Sequence, residues 1–323
     1  MRSWRSPARL LALLFVAVGI LAPFLANDVP LLARADGEWS FPAVAECFGG
    51  STPGPGDLSW KSWWSRLPPD SEDFAVMPPW PYGPTETDRA LYGAGPSLAH
   101  PLGNDASGRD LLARLVHGTR NVVFVGGLAV LLAGLVGTVL GAAAGYFRGI
   151  VDIVVLRLIE IFVCFPALLF LLLAASLFGD SRIGLILVMA SLFWTSFARI
   201  VRGEMLSLRE RDFVLVARHL GIGELRILWR HLLPQLGSQI GVTAAFGMAA
   251  AIVAESTLSF LGVGSSRTST SWGNLLFHGS EHAHTGGWHQ WVFPALTIVT
   301  AVMCCHLLAD QLRRRQRVAE LGA

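Results

Sequence analysis

Six apolar stretches separate the polar segments of this chain, near residues 10–30, 121–146, 151–178, 183–203, 237–264 and 291–309. Each approaches or exceeds the roughly 20 residues with which an α-helix crosses the hydrocarbon core of a bilayer. The pattern predicts an all-α membrane protein with six transmembrane helices. Arg2, Arg5 and Arg9 precede the first stretch, seven arginines lie between Arg199 and Arg230, and Arg313, Arg314, Arg315 and Arg317 follow the last. By the positive-inside rule these three regions are cytoplasmic, which places both termini on that side, as six crossings require.

Residues 27–96 then face outward. They hold 11 of the 17 prolines and ten acidic residues against four basic ones, a net of minus six. Such a segment reads as an extracytoplasmic insertion between helices 1 and 2, irregular or compact around Trp39, Trp60, Trp63, Trp64 and Trp80. The organisation expected is an N-terminal tail and first helix over 1–30, the insertion over 31–96, a transmembrane domain over 97–315 with a loop at 204–235, and a tail over 316–323. The A-x-A string Ala33, Arg34, Ala35 after an arginine-led apolar run also fits a cleaved signal peptide. The length of that run and the arginine in the string favour a retained helix.

Composition agrees with a membrane protein and removes other classes. The chain is 53% hydrophobic and 15% charged, and its formal net charge is only +2, so the basic surface of a nucleic-acid binder is missing. Cys47, Cys164, Cys304 and Cys305 show neither a disulfide framework nor zinc spacing and read as packing residues.

Within the spans, Ala129, Ala133, Gly137, Gly141 and Gly145 recur every four residues and form a small-residue stripe, a packing face for another helix, with a hinge as the alternative. Arg157 and Glu160, three residues apart, pair on one helical face. Pro166 removes a backbone donor and bends or loosens the third span. Glu255 lies about 13 Å inside the fifth span, counted from Gly264 at 1.5 Å per residue. Intramembrane acids line a translocation route or brace a helix interface.

Between the fourth and fifth spans, Arg202–Gln235 is helical by periodicity but interrupted by Gly221 and Gly223, which predicts two short helices with a turn. Phe213, Val214, Val216, Ala217 and Leu220 give the first an apolar face, and Arg209, Arg211 and Arg218 supply cations. A loop this apolar needs a protein surface to cover it.

This segment resembles the EAA loop of OppC/DppC-type permeases, subunits of peptide-importing ABC transporters. Gly221 matches the family's glycine, and Leu232, Leu233 and Pro234 match its closing residues. Leu215 and Val216 stand where the family commonly has Glu and the first Ala, so only Ala217 survives of the EAA triplet, which bears on an ion pair of that Glu and not on docking. Further stretches match in order: His100–Arg120, Arg157–Phe170, Ala254–Gly264 with SWGNLL from Ser271, and Pro294 with LLADQLRRR from Leu307. The long insertion and PYGPTETD, Pro81–Asp88, resemble the Yej-like subgroup, although that string equally reads as turn chemistry.

The resemblance implies a type I ABC importer permease fold in a bacterial inner membrane. It also implies a second homologous permease subunit, two ABC ATPase subunits that hold ATP and Mg, and an extracytoplasmic substrate-binding protein. Phe213, Val214, Leu215, Val216, Ala217, Arg218, Gly221 and Pro234 would couple to the ATPases, while Arg157, Glu160, Pro166 and Glu255 line the translocation pathway or brace helices. No cofactor is expected in this chain, because no Walker A sequence surrounds Lys61, its one lysine.

Other readings rest on fewer residues. His278, Glu281 and His282 fit H-x-x-E-H, with His284 and His289 nearby, but Gly279, Ser280, Gly286 and Gly287 predict a loop rather than the helix a metalloprotease needs. A metal-binding loop there keeps a nickel or chelate importer of the same family open. Ser256, Ser259 and His306 invite an intramembrane protease, though no G-x-S-G surrounds either serine. A non-transporting membrane scaffold is the remaining alternative.

Overall fold

The computed structural model describes residues 7–47, 50, 54–68, 71–179, 181–263 and 270–321. Helix α1 (Pro7–Leu25) is followed by strands β1 (Leu32–Ala35) and β2 (Glu38–Ser40), short helices α2 (Pro42–Cys47) and α3 (Trp60–Trp64), and strand β3 (Phe74–Val76). Then come the long α4 (Leu111–Phe147), α5 (Gly149–Cys164), α6 (Ala167–Phe178), α7 (Arg182–Leu208), α8 (Asp212–His219) and α9 (Glu224–Arg226). Helices α10 (Gly237–Phe260), α11 (Trp272–Glu281) and α12 (Trp288–Leu321) complete the order.

Among the described residues, four helical stretches are long and apolar enough to cross a membrane: Leu111–Phe147, Arg182–Leu208, Glu224–Phe260 and Trp288–Arg315. Helices α5 and α6 make a fifth if taken as one broken span, bent by 88°. The break falls at Phe165 and Pro166, where proline lacks the N–H that would continue the ladder, so the expected bend is a full interruption. The first predicted span differs from the expectation of 10–30. Its apolar part, Arg9–Leu25, stops before residue 30, because Ala26 pairs with Trp80 in a β-bridge and the Asn27 N–H donates to the Trp80 carbonyl.

The chain divides into two compact units. One contains residues 7–12, 124–263 and 298–321. Here α5, α6 and α10 pack on α7 around Trp194, Phe197, Leu171 and Leu258. The glycine stripe on α4 meets α7: a Cβ on Gly137 would strike the Trp194 carbonyl and Phe197, one on Gly141 the backbone of Ala198, and one on Gly145 the Arg202 carbonyl and Met205. The stripe is therefore a packing face, and the two helix backbones approach closely because nothing larger than hydrogen intervenes.

The other unit contains residues 13–123 and 270–297. The segment that composition marks as irregular holds an antiparallel sheet in the order β2-β1-β3. Asp36 (φ 52°) and Gly37 (φ 81°) turn the chain between β1 and β2 as a two-residue hairpin loop, for which Asp-Gly is a favoured pair. Trp39 packs edge-on against Phe74 across this sheet, with ring centroids 5.6 Å apart.

Candidate functional site

Helix α8 starts with Asp212 in its first turn and ends with Arg218 and His219 in its last, which suits the helix dipole at both ends. The Gly221 N–H donates to the Arg218 carbonyl and the Ile222 N–H to the Ala217 carbonyl, a Schellman motif. That cap requires a left-handed residue, and Gly221 has φ 76°. The glycine that marks the loop in the sequence is thus the one that ends α8 and turns the chain into α9.

Val214 is fully buried against Met205, Leu208, Ile227 and Leu232, with Ala217 beside it. Phe213, Val216 and Leu220 share the helix face that stays exposed, and Leu215 is exposed beside them. One side of α8 is therefore part of the core, while the other presents apolar side chains outward. Beyond α9 the ladder widens into a π-turn, Ile227–Leu232, and tightens into a 3-10 turn, Leu233–Leu236, around exposed Pro234. Proline cannot donate to the preceding turn, so the hydrogen-bond spacing changes there.

A polar collar that periodicity does not reveal surrounds Tyr146, at the end of α4. Its hydroxyl donates to the Glu224 carboxylate, and the Arg209 guanidinium donates to its carbonyl. Arg218 Nε lies 3.2 Å from Glu224 Oε1, and its guanidinium stands 5.4 Å from the Tyr146 ring centroid. Arg148 pairs with Glu210 at 2.9 Å, and Arg202 pairs with Asp152 of α5. Two of the three loop arginines thus face Tyr146 rather than solvent alone.

Arg157 and Glu160 pair at 2.7 Å, yet their side chains are 74% and 57% exposed, opposite the α5 face formed by Val155 and Ile159. Pro166 caps α6 after the break. Glu255 is completely buried in α10 and accepts a hydrogen bond from Ser259 Oγ at 3.0 Å. These four residues do not converge with α8 on one site. The His306 Nδ1–H donates to the Val302 carbonyl and its ring packs on Phe246, so a serine–histidine arrangement is not what these groups form.

The stretch read as a histidine loop is instead the last turn of α11: His278 Nδ1 lies 3.4 Å from Glu281 Oε2, and the His282 Nδ1–H donates to the His278 carbonyl. Gly279 does not break the helix and is where it meets the Gln290 backbone at close range, whereas Gly286 (φ 90°) and Gly287 follow the 3-10 turn Ala283–Thr285 as the expected loop. Among the described residues, no group of three His, Cys, Asp or Glu side chains is placed to hold a metal ion.

The His100–Arg120 segment forms a buried polar knot. His100 Nδ1 lies 2.6 Å from Asp110 Oδ2, and the Trp80 indole N–H donates to Asp110 Oδ1 at 2.9 Å. Asp105 accepts from the Ser107 and Arg109 backbone N–H groups and pairs with the Arg109 and Arg114 side chains. Burial pushes the Asp105 carboxyl up, but the Arg114 guanidinium and the Arg109 backbone N–H outweigh it and hold it below its usual 3.8.

A depressed carboxyl pKa adds stability at neutral pH that is lost as the pH falls below about 4, through the lowered folded value. We therefore expect Asp105→Asn to cost about 3 kcal/mol at pH 7, through the unpaired arginine it leaves, and to flatten the loss on acidification to pH 3. Thermal unfolding of the detergent-solubilised protein at the two pH values checks this. An unchanged acid loss in the variant would remove Asp105 as its source.

Fold and site together define a helical, multi-pass membrane protein that presents an apolar helix on a loop. The chain belongs to the family of binding-protein-dependent transport system inner membrane components, which residues 137–318 match. It is 34% identical over 244 residues to the oligopeptide transport system permease protein OppC of Haemophilus influenzae, covering 74% of this chain and 78% of that one. Two Brucella suis proteins named as peptide permeases are 34% identical over 241 residues and 35% over 245, each match covering 74% of this chain and 81% of the relative. The chain is thus similar to OppC-type permeases and, as a member of this family, is a transport permease and not an enzyme.

Proposed function

We propose that the chain forms one half of the membrane gate of an importer for di- or oligopeptides or peptide-like compounds. It works beside a second homologous permease, two cytoplasmic ATPase subunits that bind ATP and magnesium, and an extracytoplasmic binding protein. In this reading α1 is the first of six crossings, α5 and α6 form one broken crossing, both ends lie in the cytoplasm, and residues 31–96 are an outward insertion. The names of the relatives supply the substrate class.

The observation that carries the coupling role is the split character of α8: Val214 is locked into the core while Phe213, Val216 and Leu220 stay outside it. ATP-driven closure of the ATPases would push on that outer face and rock the attached helices between two states. Such a push shifts the balance only if the ATP-bound partners hold one state better than the other. Arg157 and Glu160 lie on the open side of α5, toward the second permease or the route, and Glu255 braces α10 from within.

The test is Val216→Asp, which puts a charge on the exposed face without touching the core. We expect normal membrane insertion but at least a tenfold loss of co-purifying ATPase, about 1.4 kcal/mol. Full retention of the ATPase pair by the inserted variant would overturn the docking role of α8.

A further inference from the structure

We infer that Tyr146 is the positioning residue that carries movement of α8 into α4, so that α8, α4 and α7 act as one lever. The inference rests on the docking role proposed for α8 and adds to it the route by which the push leaves the loop. Three contacts join the loop to the last turn of α4 and the residue after it. Glu224, just past the Gly221 cap, accepts from the Tyr146 hydroxyl; Arg209, just before α8, donates to the Tyr146 carbonyl; and Glu210 pairs with Arg148.

The contacts flank α8 on both sides, at residues 209–210 and at residue 224, and both flanks return to the same turn of α4. Tyr146 is only 2% exposed, and its ring is packed in the cluster that holds Val214. A displacement of α8 therefore meets a side chain that is fixed by packing and tied by a hydrogen bond. From Tyr146 outward, Gly145, Gly141 and Gly137 lock α4 to the backbone of α7 over two turns, so the pair has little freedom to slide.

Packing alone would transmit a push in one direction only. A pull needs a tether, and the Tyr146–Glu224 bond supplies one, with Arg218 beside it to hold the carboxylate. The Arg209 bond to the Tyr146 carbonyl and the Arg148–Glu210 pair tie the other flank of α8, so the phenol oxygen is the tether on the Glu224 side, and phenylalanine removes it while keeping the ring.

Hydrogen–deuterium exchange on the assembled transporter, with and without ATP and vanadate, tests this without knowledge of the substrate. In the parent complex, trapping should change exchange by about threefold or more both in residues 212–220 and at the end of α4, residues 137–147. In Tyr146→Phe the response at 212–220 should persist and the response at 137–147 should fall by about half or more, with the ATPase pair still bound, because packing and the Arg209 and Arg148 contacts remain.

An equal response at 137–147 in the variant would overturn the inference. So would loss of ATPase binding, which would place Tyr146 in assembly instead. Absence of any response at 212–220 in the parent complex would mark failure of the docking reading itself. Glu224→Ala, which removes the acceptor at an exposed position, asks the same question should Tyr146→Phe not insert. The double variant should be no worse than either single one, since both cut the same tether; additive losses would count against it.

Discussion

Gly141→Leu is expected to destabilise the protein by about 3 kcal/mol, because α7 leaves no room for a side chain there. A Cβ at this position would sit 2.9 Å from Ala198 Cα and 3.1 Å from its carbonyl carbon, and these are backbone atoms that no rotamer change can move aside. Overpacking of this kind costs about 1–3 kcal/mol, and a leucine facing backbone belongs at the upper end. Gly141→Ala should already be harmful.

The control is Gly127→Ala in the same helix, where nothing lies within 4 Å of the added Cβ. There the better helix propensity of alanine should be neutral or stabilising by up to about 1 kcal/mol. Thermal unfolding in detergent separates the two. Equal melting temperatures for Gly141→Ala and Gly127→Ala would show that the stripe is not an interlock.

Trp272→Ala should be the other severe change, at about 3–5 kcal/mol. Trp272 is completely buried at the start of α11, its indole N–H donates to the Leu115 carbonyl at 3.0 Å, and Phe15 packs on it with centroids 5.8 Å apart. Gly118, one turn along α4 from Leu115, makes room for the indole, which is why a Cβ at Gly118 would collide with it. Trp272→Phe should recover most of the packing but not the hydrogen bond. Trp288→Ala, at a tryptophan that is 51% exposed, should cost far less, and a comparable loss at the two positions would refute the anchoring role.

The long apolar runs made most of the helices legible, since nothing but a helix satisfies the backbone of such a run away from water. Pro166 announced the break between α5 and α6, and Gly221 announced the end of α8, each through a single backbone property. The Arg157–Glu160 pair followed from spacing alone, but its exposure did not, because spacing says which residues share a face and not what covers it. Asp36-Gly37 carried the hairpin signal within a stretch whose prolines and charges drew attention away from it.

Tyr146 was hidden for another reason. A tyrosine at the end of an apolar run is the ordinary aromatic of a membrane interface, and only the fold brings Glu224 to it from 78 residues away. The last turn of α11 is not legible in the sequence because a glycine there signals a loop through its conformational freedom, whereas Gly279 serves a close approach of chains. The first helix ended early because Ala26 and Asn27 were recruited by Trp80, a tertiary contact that overrides hydropathy.

The ion pair on the open side of α5 also governs how the subunit fares before it finds its companions. A solitary copy would press a guanidinium, a carboxylate and the interrupted backbone at Pro166 against acyl chains, each an expensive neighbour for hydrocarbon. A neighbour that covers that side of α5 would relieve all three costs at once.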